Sequence, residues 1–583
     1  MPGSLDSTAG GIAASGTYAC GFVPSLASSP TLGADSGACY YANNTCSQKT
    51  QTSVKQDAAG LQCLDSGGIF VPNQSCGTPP PSLNFNEQNA YYVSPLLIIE
   101  NGQPPVQVPL SDSRSRGYRT RIEADAAISW INSKKNSAKP WMATVSFSAA
   151  HTPWQQAPKA MTPLSDGLQS NLDGLNCTND VDGRIIQNQM TEAMDTEFGR
   201  LMIETGLAKR RADGRLEYDP KASNTVIVIV GDNGTLGNAV KLPFNAQEAK
   251  GTAYQTGIWT PLIVAGPMVV DVDREVDHMV NMVDVFQFFG ELAGLDAHKL
   301  VPRTLDSVGL LPYLTKPGTN SLRSINFSMG GFNIQANGAR NAPCVMSMST
   351  CTQVPISKSV CQDNGGVWWG TGYTDSSVLP PPSGQTGYTS CYQVNQALYN
   401  QSGGPSSYYP IKITPQTSTA IRNDKYKLIM NTVQTFDPST PTAPGPNPIV
   451  SYEFYEINQA APLPKLDNPG GANQIVQPTG AALQAYNDLY EKLQSLLASQ
   501  PYCPGDGNSD GVVDAQDLSN WQKIYNYATS TNIWSSVYNF MTGATWGGNA
   551  VENGTWTGTT GTTDQQLIQQ NMGRTCPKTY SVY

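Results

Sequence analysis

The stretch TVIVIVGDNG, residues 225–234, decides the fold that the sequence predicts. Its first six residues are all β-branched, which is typical of a buried strand. Asp232 and Asn233 follow directly in a glycine-flanked turn. In α/β sheets ligands bind at the carboxyl ends of strands, and Ca²⁺ or Mg²⁺ takes several oxygen ligands. We therefore expect Asp232 and Asn233 to supply part of a cation site, although Asp-Asn-Gly is also an ordinary turn.

The chain around this strand alternates helical periodicity with short apolar runs from about residue 118 to 315. Ala124 and Ile128 belong to one apolar helix face. Further buried strands are predicted in MATVSFS at 142–148 and in PLIVAG at 261–266. This alternation predicts an α/β protein, and a doubly wound, largely parallel or mixed sheet fits it best. After residue 405 a smaller α+β segment is predicted, with YKLIM at 426–430, YEFYEI at 452–457 and an amphipathic helix that contains Leu489 and Leu493.

The composition limits the classes of function. The 583 residues include 35 basic and 45 acidic side chains, a net charge of −10, so we expect no nucleic-acid partner. No apolar run is long enough for a membrane span. Twelve cysteines favour an oxidising compartment, so we expect an extracellular or periplasmic location for the full-length protein. The residues after Met1 form no basic or apolar leader, so no signal peptide is predicted in this chain.

Two cysteine-rich segments share a pattern that indicates a short internal repeat. Each has two cysteines separated by six residues, followed by CLDSGGIF at 63–70 in the first and CQDNGGVW at 361–368 in the second. The second segment, about residues 335–405, is predicted to be a disulfide-stapled insertion. Its Trp368 and Trp369 have two interpretations: they belong to the stapled loop, or they stack on a sugar at the rim of a substrate site.

Two further residues are candidates for binding an anionic substrate. His151 directly follows the predicted strand at 142–148, where a ligand is expected, although a loop histidine with a structural partner is an equal alternative. Lys250 opens a glycine-containing turn 18 residues after Asp232. A lysine near a cation site would bind an anion, while the commoner fate of a loop lysine is solvation.

These segments, in this order, resemble the sulfatase family of the alkaline phosphatase superfamily over about residues 118–498. The resemblance implies an alkaline-phosphatase-like mixed sheet flanked by helices and a smaller C-terminal α+β subdomain. The segments that carry it are KPWMATVSFSAAHTPWQQAP at 139–158, AMDTEFGRL at 193–201, GDNG at 231–234, KGTAYQTGIWTPLIVAGP at 250–267, AIRNDKYKLIM at 420–430 and YEFYEINQ at 452–459.

The resemblance also implies roles for the candidate residues. Asp232 and Asn233 match two ligands of the catalytic calcium, and Lys250 matches the lysine that holds a sulfate oxygen. His151 matches a histidine on the sulfate or ester oxygen. The implied substrate is a sulfate ester, either a sulfated carbohydrate or an aryl sulfate.

The sequence departs from the family pattern in its nucleophile. Sulfatases carry a Cys/Ser-x-Pro-x-Arg motif, whose first residue becomes formylglycine, and two further calcium aspartates, and none is visible here. Met1 falls just beyond the matching region of the family, so the chain resembles a sulfatase that lacks its first third. We expect negligible activity from this chain alone, together with uncovered apolar faces that the missing N-terminal segment, as a partner, would cover. Two alternatives remain: a non-catalytic calcium-binding secreted scaffold or adhesion protein, and a phosphodiesterase or phosphatase of the same superfamily.

The C-terminal sequence PGDGNSDGVVDAQDL, residues 504–518, fits a twelve-residue calcium loop. It resembles a dockerin, a small helical module with an EF-hand-type loop and a possible cohesin-like partner; a calcium-stabilised terminal cap is the alternative. A second loop, from Asn553 to Asp564, is degenerate, and a Cys503–Cys576 bridge is expected around the module. The predicted ligands are Asp506, Asn508, Asp510, the Val512 carbonyl, Asp514 and Asp517.

The chain is thus predicted to contain three domains. Residues 1–325 form a partial sulfatase-like catalytic domain, and residues 326–500 form the C-terminal sulfatase subdomain. Residues 501–583 form the dockerin-like calcium module. Calcium is the predicted cofactor of both the first and the last of these domains.

Overall fold

The structure is a computed structural model. It describes residues 36–53, 56–81, 83–86, 89, 91–100, 103–151, 154–164, 180–236, 239–241, 244, 248–300, 305–331, 343–346, 350–352, 358–363, 366–404, 407, 411–413, 417–433, 436–438, 449–458, 464–498, 505–507, 511–527 and 564–575.

The described residues form short strands and helices of very different lengths. The helices are α1 (Ala59–Asp65), α2 (Arg119–Lys134), α3 (Asp180–Glu204), α4 (Pro220–Ser223), α5 (Gln255–Ile258), α6 (Asp284–Leu292), α7 (Ala297–Leu300), α8 (Leu311–Thr315), α9 (Lys358–Asp363), α10 (Cys391–Ser402), α11 (Gly480–Ala498), α12 (Ala515–Tyr527) and α13 (Asp564–Gln570). The strands are β1 (Ser36–Tyr40), β2 (Cys46–Thr50), β3 (Ile69–Pro72), β4 (Leu96–Ile98), β5 (Val106–Val108), β6 (Ala208–Arg210), β7 (Leu216–Tyr218), β8 (Ile227–Val230), β9 (Leu262–Ala265), β10 (Asn326–Gly331), β11 (Cys344–Met346), β12 (Thr350–Thr352), β13 (Gly366–Trp368), β14 (Lys412–Ile413), β15 (Thr417–Arg422), β16 (Tyr426–Val433) and β17 (Ile449–Glu456).

The chain divides into two compact units. The first contains residues 1–225 with 359–365, and the second contains residues 226–358 with 366–583. Each unit is described by itself below. No helix in the described part of the chain is long and apolar enough to cross a membrane.

The core of the first unit contains the two long helices α2 and α3. Ile128 and Ile131 of α2 pack with Leu201 of α3, as expected from the apolar periodicity of both segments. Helix α3 ends at Glu204, and Gly206 adopts a φ of +74°, which a glycine tolerates and other residues rarely adopt.

The predicted strand at 142–148 is wrong. These residues have no regular secondary structure, and Met142 is 65% exposed. A strand needs a neighbouring backbone for its hydrogen bonds, and no segment pairs with this one among the described residues. Instead, Glu123 of α2 accepts hydrogen bonds from the backbone amide and the hydroxyl of Ser148.

The second unit contains β8, the strand on which the predicted fold depends. This strand belongs to a smaller sheet than a doubly wound fold requires. β8 pairs with β9 in antiparallel orientation in a two-stranded sheet, whereas the sequence predicts a doubly wound sheet that is largely parallel or mixed. Val228 and Leu262 cover the helical residue Phe288 on one face of this pair. Ile263 is 55% exposed on the other face. The fold is therefore a mixed α/β arrangement of small sheets, mostly antiparallel, with at most four strands each in the described part.

A four-stranded antiparallel sheet forms the C-terminal part of the second unit. Its strand order is β10-β15-β16-β17, and α11 packs across one face. Leu489 and Leu493 of α11 contact Leu428 and Phe454 in this core. The predicted strands at 426–430 and 452–457 and the amphipathic helix are thus present.

The two cysteine-rich segments have the same order of elements, which confirms the predicted repeat. Each contains two strands, a helix and a third strand, and the first strand lies between the other two in its sheet. The register agrees as well, because Cys39 lies opposite Phe70 and Cys344 lies opposite Trp368. Disulfides fix the copies: they join Cys39 to Cys63, Cys46 to Cys76 and Cys351 to Cys391, while Cys344 and Cys361 are disulfide-bonded too.

The structure also decides between the two interpretations of the tryptophan pair. Trp368 and Trp369 are 2% and 0% exposed. Trp369 packs with Cys351, Cys391 and Val394 in the core of the second copy. The sugar-stacking interpretation is therefore wrong, because these rings complete a small core that the disulfides staple.

Candidate functional site

The tip of β8 holds the two predicted cation ligands. The Asn233 amide group donates to the Gly234 carbonyl at 2.9 Å, which leaves its side-chain oxygen as the end available to a cation. The backbone N–H of Asn233 donates to Oδ1 of the exposed Asp232 at 2.9 Å. A Cβ on Gly234 would lie 2.0 Å from the Thr256 carbonyl oxygen, so only glycine allows this approach. The Gly234 N–H donates to the carbonyl of Gly257 at 2.8 Å.

Lys250 lies beside this loop. Its backbone N–H donates to the Thr235 carbonyl at 3.0 Å, and its side chain is partly buried. Burial lowers the pKa of the Lys250 ammonium, and the negative charge of Asp232 partly offsets that shift. The structure thus brings Lys250 within electrostatic reach of Asp232, as an anion site next to a cation site requires.

The oxygen donors at this loop are of the chemical kind that a hard cation prefers, but they are too few to hold one. Asp232 and Asn233 supply carboxylate and amide oxygens, whereas calcium takes about six to eight oxygen ligands. No group of three or more His, Cys, Asp or Glu side chains is arranged to hold a metal ion in the part of the chain that the structure describes. Asp232 and Asn233 can therefore hold an ion only together with further oxygen ligands.

His151 lies in the first unit, at the end of the segment that was predicted as a strand. Its backbone N–H donates to the Ser148 carbonyl at 3.0 Å. The hydroxyl of Tyr91 lies 2.6 Å from the Ser148 carbonyl oxygen and 2.8 Å from that of His151. A buried hydroxyl that bridges two carbonyls fixes this turn, so the backbone that carries His151 is held in one conformation.

Residues that sequence reasoning missed hold the following segment. Tyr91 and Tyr118 stack with ring centroids 5.7 Å apart, and both side chains are fully buried. The Tyr91 N–H donates to Oε1 of Gln155 at 2.7 Å, and the Tyr92 hydroxyl donates to the Gln156 carbonyl. Two features of the sequence could have indicated these contacts, namely the adjacent tyrosines at 91–92 and the adjacent glutamines at 155–156. A buried tyrosine needs a polar partner for its hydroxyl group.

The four residues proposed for one catalytic centre therefore fall into two groups. Asp232, Asn233 and Lys250 lie together in the second unit, and His151 lies in the first. The contacts above bring the first group together, and the roles of its residues in a catalytic centre stay predictions. The assignment of His151 to the same centre stays a prediction.

The predicted C-terminal calcium loop is described at residues 506–507 and 511–517. Gly511, at the sixth position, adopts a φ of +91°, which permits the sharp bend. Its N–H donates to Oδ2 of Asp506 at 3.1 Å. The carboxylate of the fully buried Asp517 accepts from the N–H groups of Gly507 and Asp514, each at 2.9 Å. Both carboxylates thus accept hydrogen bonds from backbone N–H groups of this segment, and their role as calcium ligands stays a prediction.

The remaining predictions for this module are only partly within the described residues. Val512 forms an isolated bridge with Thr575, and the buried Val513 exchanges backbone hydrogen bonds with the chain at 573–574. Asp514 lies in the described loop as well. Asn508, Asp510, the bridge between Cys503 and Cys576, and the degenerate loop before Asp564 lie outside the described residues.

Comparison with known proteins gives similarity to sulfatases. Over 291 residues the chain is 23% identical to the N-acetylglucosamine-6-sulfatase of Bos taurus, a match that covers 48% of each protein. It is 22% identical over 290 residues to the enzyme of the same name from Capra hircus, again over 48% of each. The chain thus matches about half the length of these relatives. This similarity supports homology with sulfatases.

Solved structures with partial similarity include a protein with a provisional sulfatase assignment, yidJ of Bacteroides fragilis. It is 13% identical, with a TM-score of 0.38, and the match covers 69% of this chain and 63% of that one. The phosphonate monoester hydrolase SpPMH of Silicibacter pomeroyi is 14% identical, with a TM-score of 0.33, over 66% and 63% of the two chains. No family model matches the sequence.

Proposed function

We propose that this chain is a sulfatase-family hydrolase of sulfate esters. The observation that carries the proposal is the similarity to two N-acetylglucosamine-6-sulfatases. The proximity of Lys250 to Asp232 at the tip of β8 supports it, because a sulfate ester needs a cationic partner beside a metal site. The names of the relatives favour a sulfated carbohydrate as the substrate, with an aryl sulfate as a simple analogue.

Each residue of the centre has a role in this proposal. Asp232 and Asn233 supply two of the oxygen ligands of a calcium ion, which polarises the sulfuryl oxygens when it is bound. The Lys250 ammonium binds a sulfate oxygen and offsets negative charge as the S–O bond breaks. Its partial burial strengthens this attraction because fewer water molecules screen the charge. His151 contacts the sulfate or the ester oxygen.

A sulfate ester can be bound without the nucleophile, but its hydrolysis requires one. The 583 residues contain no Cys/Ser-x-Pro-x-Arg sequence, so no formylglycine can form from that motif within them. Loss of the nucleophile in a covalent enzyme can cost on the order of 10⁶ in rate. We therefore expect this chain by itself to bind sulfate esters weakly and to hydrolyse them negligibly. The disulfides favour an extracellular or periplasmic location for the protein.

A binding experiment tests the proposal. Titration calorimetry with 4-nitrophenyl sulfate should show binding that requires calcium and that chelation abolishes. Lys250→Ala should weaken it by about 10-fold or more, since a charge-assisted hydrogen bond contributes about 1.5–3 kcal/mol. Lys209→Ala, at an exposed lysine of β6, is the matched control and should leave binding unchanged.

The other outcomes favour the alternatives. Tighter calcium-dependent binding of 4-nitrophenyl phosphate than of the sulfate would favour a phosphodiesterase or phosphatase. No binding of either ester would favour a non-catalytic calcium-binding scaffold. Turnover of the sulfate by the purified chain that disappears in Lys250→Ala would refute the expected inactivity.

The C-terminal module is proposed to bind calcium as a terminal cap. The carboxylates of Asp506 and Asp517 directed into the loop support this role. With Asn508, Asp510, Asp514 and the Val512 carbonyl they form the complete set of oxygen ligands for one EF-hand-type loop. Docking to a cohesin-like partner is the alternative, and retention on an immobilised cohesin in calcium but not in a chelator would favour it.

A further inference from the structure

The turn that carries Lys250 is fixed on two sides. On one side, backbone hydrogen bonds join it to the cation loop: Lys250 donates to Thr235 at 3.0 Å, and Gly257 accepts from Gly234 at 2.8 Å. A displacement of residues 250–257 would therefore move both the ammonium and the Asp232–Asn233 loop. The position of the proposed site depends on what holds the other side of this turn.

One face of the C-terminal sheet holds that other side. Tyr254 packs against Ile429 and Tyr455, in a buried cluster on the face opposite α11. Its hydroxyl donates to Oε2 of Glu453 at 2.6 Å and accepts from the Asn431 amide at 2.8 Å. The turn is thus bound to β16 and β17 by apolar contact, by one hydrogen bond to a carboxylate and by one from an amide.

A buried ion pair holds the neighbouring residues of the turn. Lys427 of β16 and Asp467 have side chains that are 1% and 2% exposed, and they lie 2.6 Å apart. The Lys427 ammonium also donates to the Ala253 carbonyl at 2.6 Å. The Asp467 carboxylate accepts from the N–H of Gln255 at 2.9 and 3.0 Å, and the Asp467 N–H donates to Oε1 of Gln255.

Three consecutive residues, 253–255, are therefore held by charged side chains: Ala253 and Tyr254 by residues of the sheet, and Gln255 by Asp467. A buried ion pair adds little net stability over well-packed apolar residues, because desolvation offsets the Coulomb attraction. It does restrict the geometry of the groups around it, because each buried charge needs its hydrogen-bond partners in fixed positions. The presence of this ion pair is therefore better explained by the need to fix the geometry of the turn than by a contribution to the stability of the fold.

We infer that Lys427 of β16, Glu453 of β17 and Asp467 of the segment after β17 are positioning residues, which set the place of Lys250 and of the Asp232–Asn233 loop. What is positioned is a sulfate-ester site only if the proposed function holds, whereas the mechanical coupling stands independently of it. The backbone of β10 also contacts the turn, because a Cβ on Gly330 would lie 2.6 Å from the Gly251 carbonyl oxygen.

Two tyrosines provide a matched pair of variants. The hydroxyls of Tyr254 and Tyr455 donate to the same Oε2 of Glu453, each at 2.6 Å. Only Tyr254 belongs to the turn, while Tyr455 belongs to β17 itself. Tyr254→Phe removes the bonds of this hydroxyl to Glu453 and Asn431, which both join sheet and turn, and Tyr455→Phe removes a bond to the same carboxylate within the sheet.

Hydrogen exchange on the full chain measures the coupling without any need for activity. In Tyr254→Phe, peptides that contain the Gly234 and Lys250 amides should exchange about 10-fold faster, which corresponds to the loss of a hydrogen bond to a charged group. In Tyr455→Phe the same peptides should exchange at the wild-type rate. Peptides from α11 serve as the reference for global stability in both variants.

A conservative replacement separates positioning from general destabilisation. Glu453→Ala should accelerate exchange at the same peptides, and Glu453→Gln should restore protection because its amide oxygen still accepts from Tyr254. Unchanged exchange in Tyr254→Phe, or equal acceleration in both tyrosine variants, would overturn the inference.

Binding of inorganic sulfate in calcium supplies the functional readout. Its dissociation constant should rise about 10-fold in Glu453→Ala and return in Glu453→Gln. A wild-type protein that binds no sulfate contradicts the proposed function, and the exchange result still decides the positioning role. Sulfate binding that stays unchanged in Glu453→Ala contradicts the positioning role.

Discussion

Arg323 and Asp284 form an ion pair in which each side chain is only 1% exposed. Asp284 begins α6, and its two carboxylate oxygens also accept from the backbone N–H groups of Asn281 and Val308, each at 2.7 Å. The pair thus ties the start of a helix to two other segments of the second unit. Both carboxylate oxygens accept from the Arg323 guanidinium, and each also accepts from one of these backbone N–H groups.

Removal of one member of this pair should be costly. Asp284→Ala leaves the Arg323 guanidinium buried without its counter-charge, so we expect the free energy of unfolding to fall by about 3–5 kcal/mol. Urea denaturation measures this change. Lys299→Ala is the matched control, since the ion pair of Lys299 with Asp296 is exposed, and it should leave the midpoint unchanged. Equal shifts in the two variants would contradict the expectation.

Glu291 should make stability depend on pH. Burial raises the pKa of its carboxyl above the ordinary 4.5, and hydrogen bonds from the backbone at Leu311 and Leu310 oppose that shift. Because folding favours the protonated form, the stability contributed by this group is present below pH 4.5 and is lost as the pH rises through the folded pKa. Glu291→Gln should therefore raise the melting temperature at about pH 7 and lose this advantage at about pH 4.

The control for this pH dependence is Glu275→Gln, at an exposed glutamate. Its melting temperature should follow that of the wild type at both pH values. A Glu291→Gln effect that is the same at both pH values would show that packing, and not ionisation, is responsible.

The repeat predicts comparable roles for equivalent disulfides. The Cys351–Cys391 bridge spans 40 residues and the Cys46–Cys76 bridge spans 30. In the chain-entropy model each contributes about 4 kcal/mol, because loop length enters only as a logarithm. Replacing either pair by alanines should therefore lower stability by a similar amount, as measured by denaturant unfolding. Proteolytic mapping without reduction should recover both cross-linked peptides, and any other partner for Cys351 would contradict the pairing.

Calcium should stabilise the C-terminal module through Asp517. Addition of calcium is expected to raise the melting temperature that is followed by Trp521 fluorescence, and chelation should reverse the rise. Asp517→Asn should abolish the calcium dependence, since it removes a charged ligand from the loop. Asp488→Asn, on the exposed surface of α11, should keep it. A calcium response that survives in Asp517→Asn would place the ion elsewhere.

The outer face of the β8–β9 pair should promote self-association. Ile229 and Ile263 are 41% and 55% exposed there, and each strand pairs on one side only within the described residues. Unpaired edges beside exposed aliphatic side chains favour association. Ile263→Thr should increase the monomer fraction measured by light scattering after gel filtration. A monodisperse wild-type monomer would contradict this expectation and the predicted need for a covering segment.

Sequence reasoning succeeded where the signal was local. The α2 periodicity, the strands at 426–430 and 452–457, and the left-handed Gly511 all follow from neighbouring residues. The prediction failed for residues 142–148, because a run of apolar residues does not say which backbone will pair with it. In the same way, the apolar runs at 225–230 and 261–266 did not specify that β8 and β9 pair only with each other among the described residues.

The sequence by itself determined which residues could bind a cation and an anion, and it determined the repeat, since composition, spacing and glycine positions are properties of the chain. Only the tertiary structure decided that Trp368 and Trp369 are buried and that Lys427, Asp467 and Glu453 hold the turn of Lys250. More than 170 residues separate Lys427 from its acceptor at Ala253. Contacts at that distance along the chain arise from packing and from the need to pair buried charges, and no local pattern encodes them.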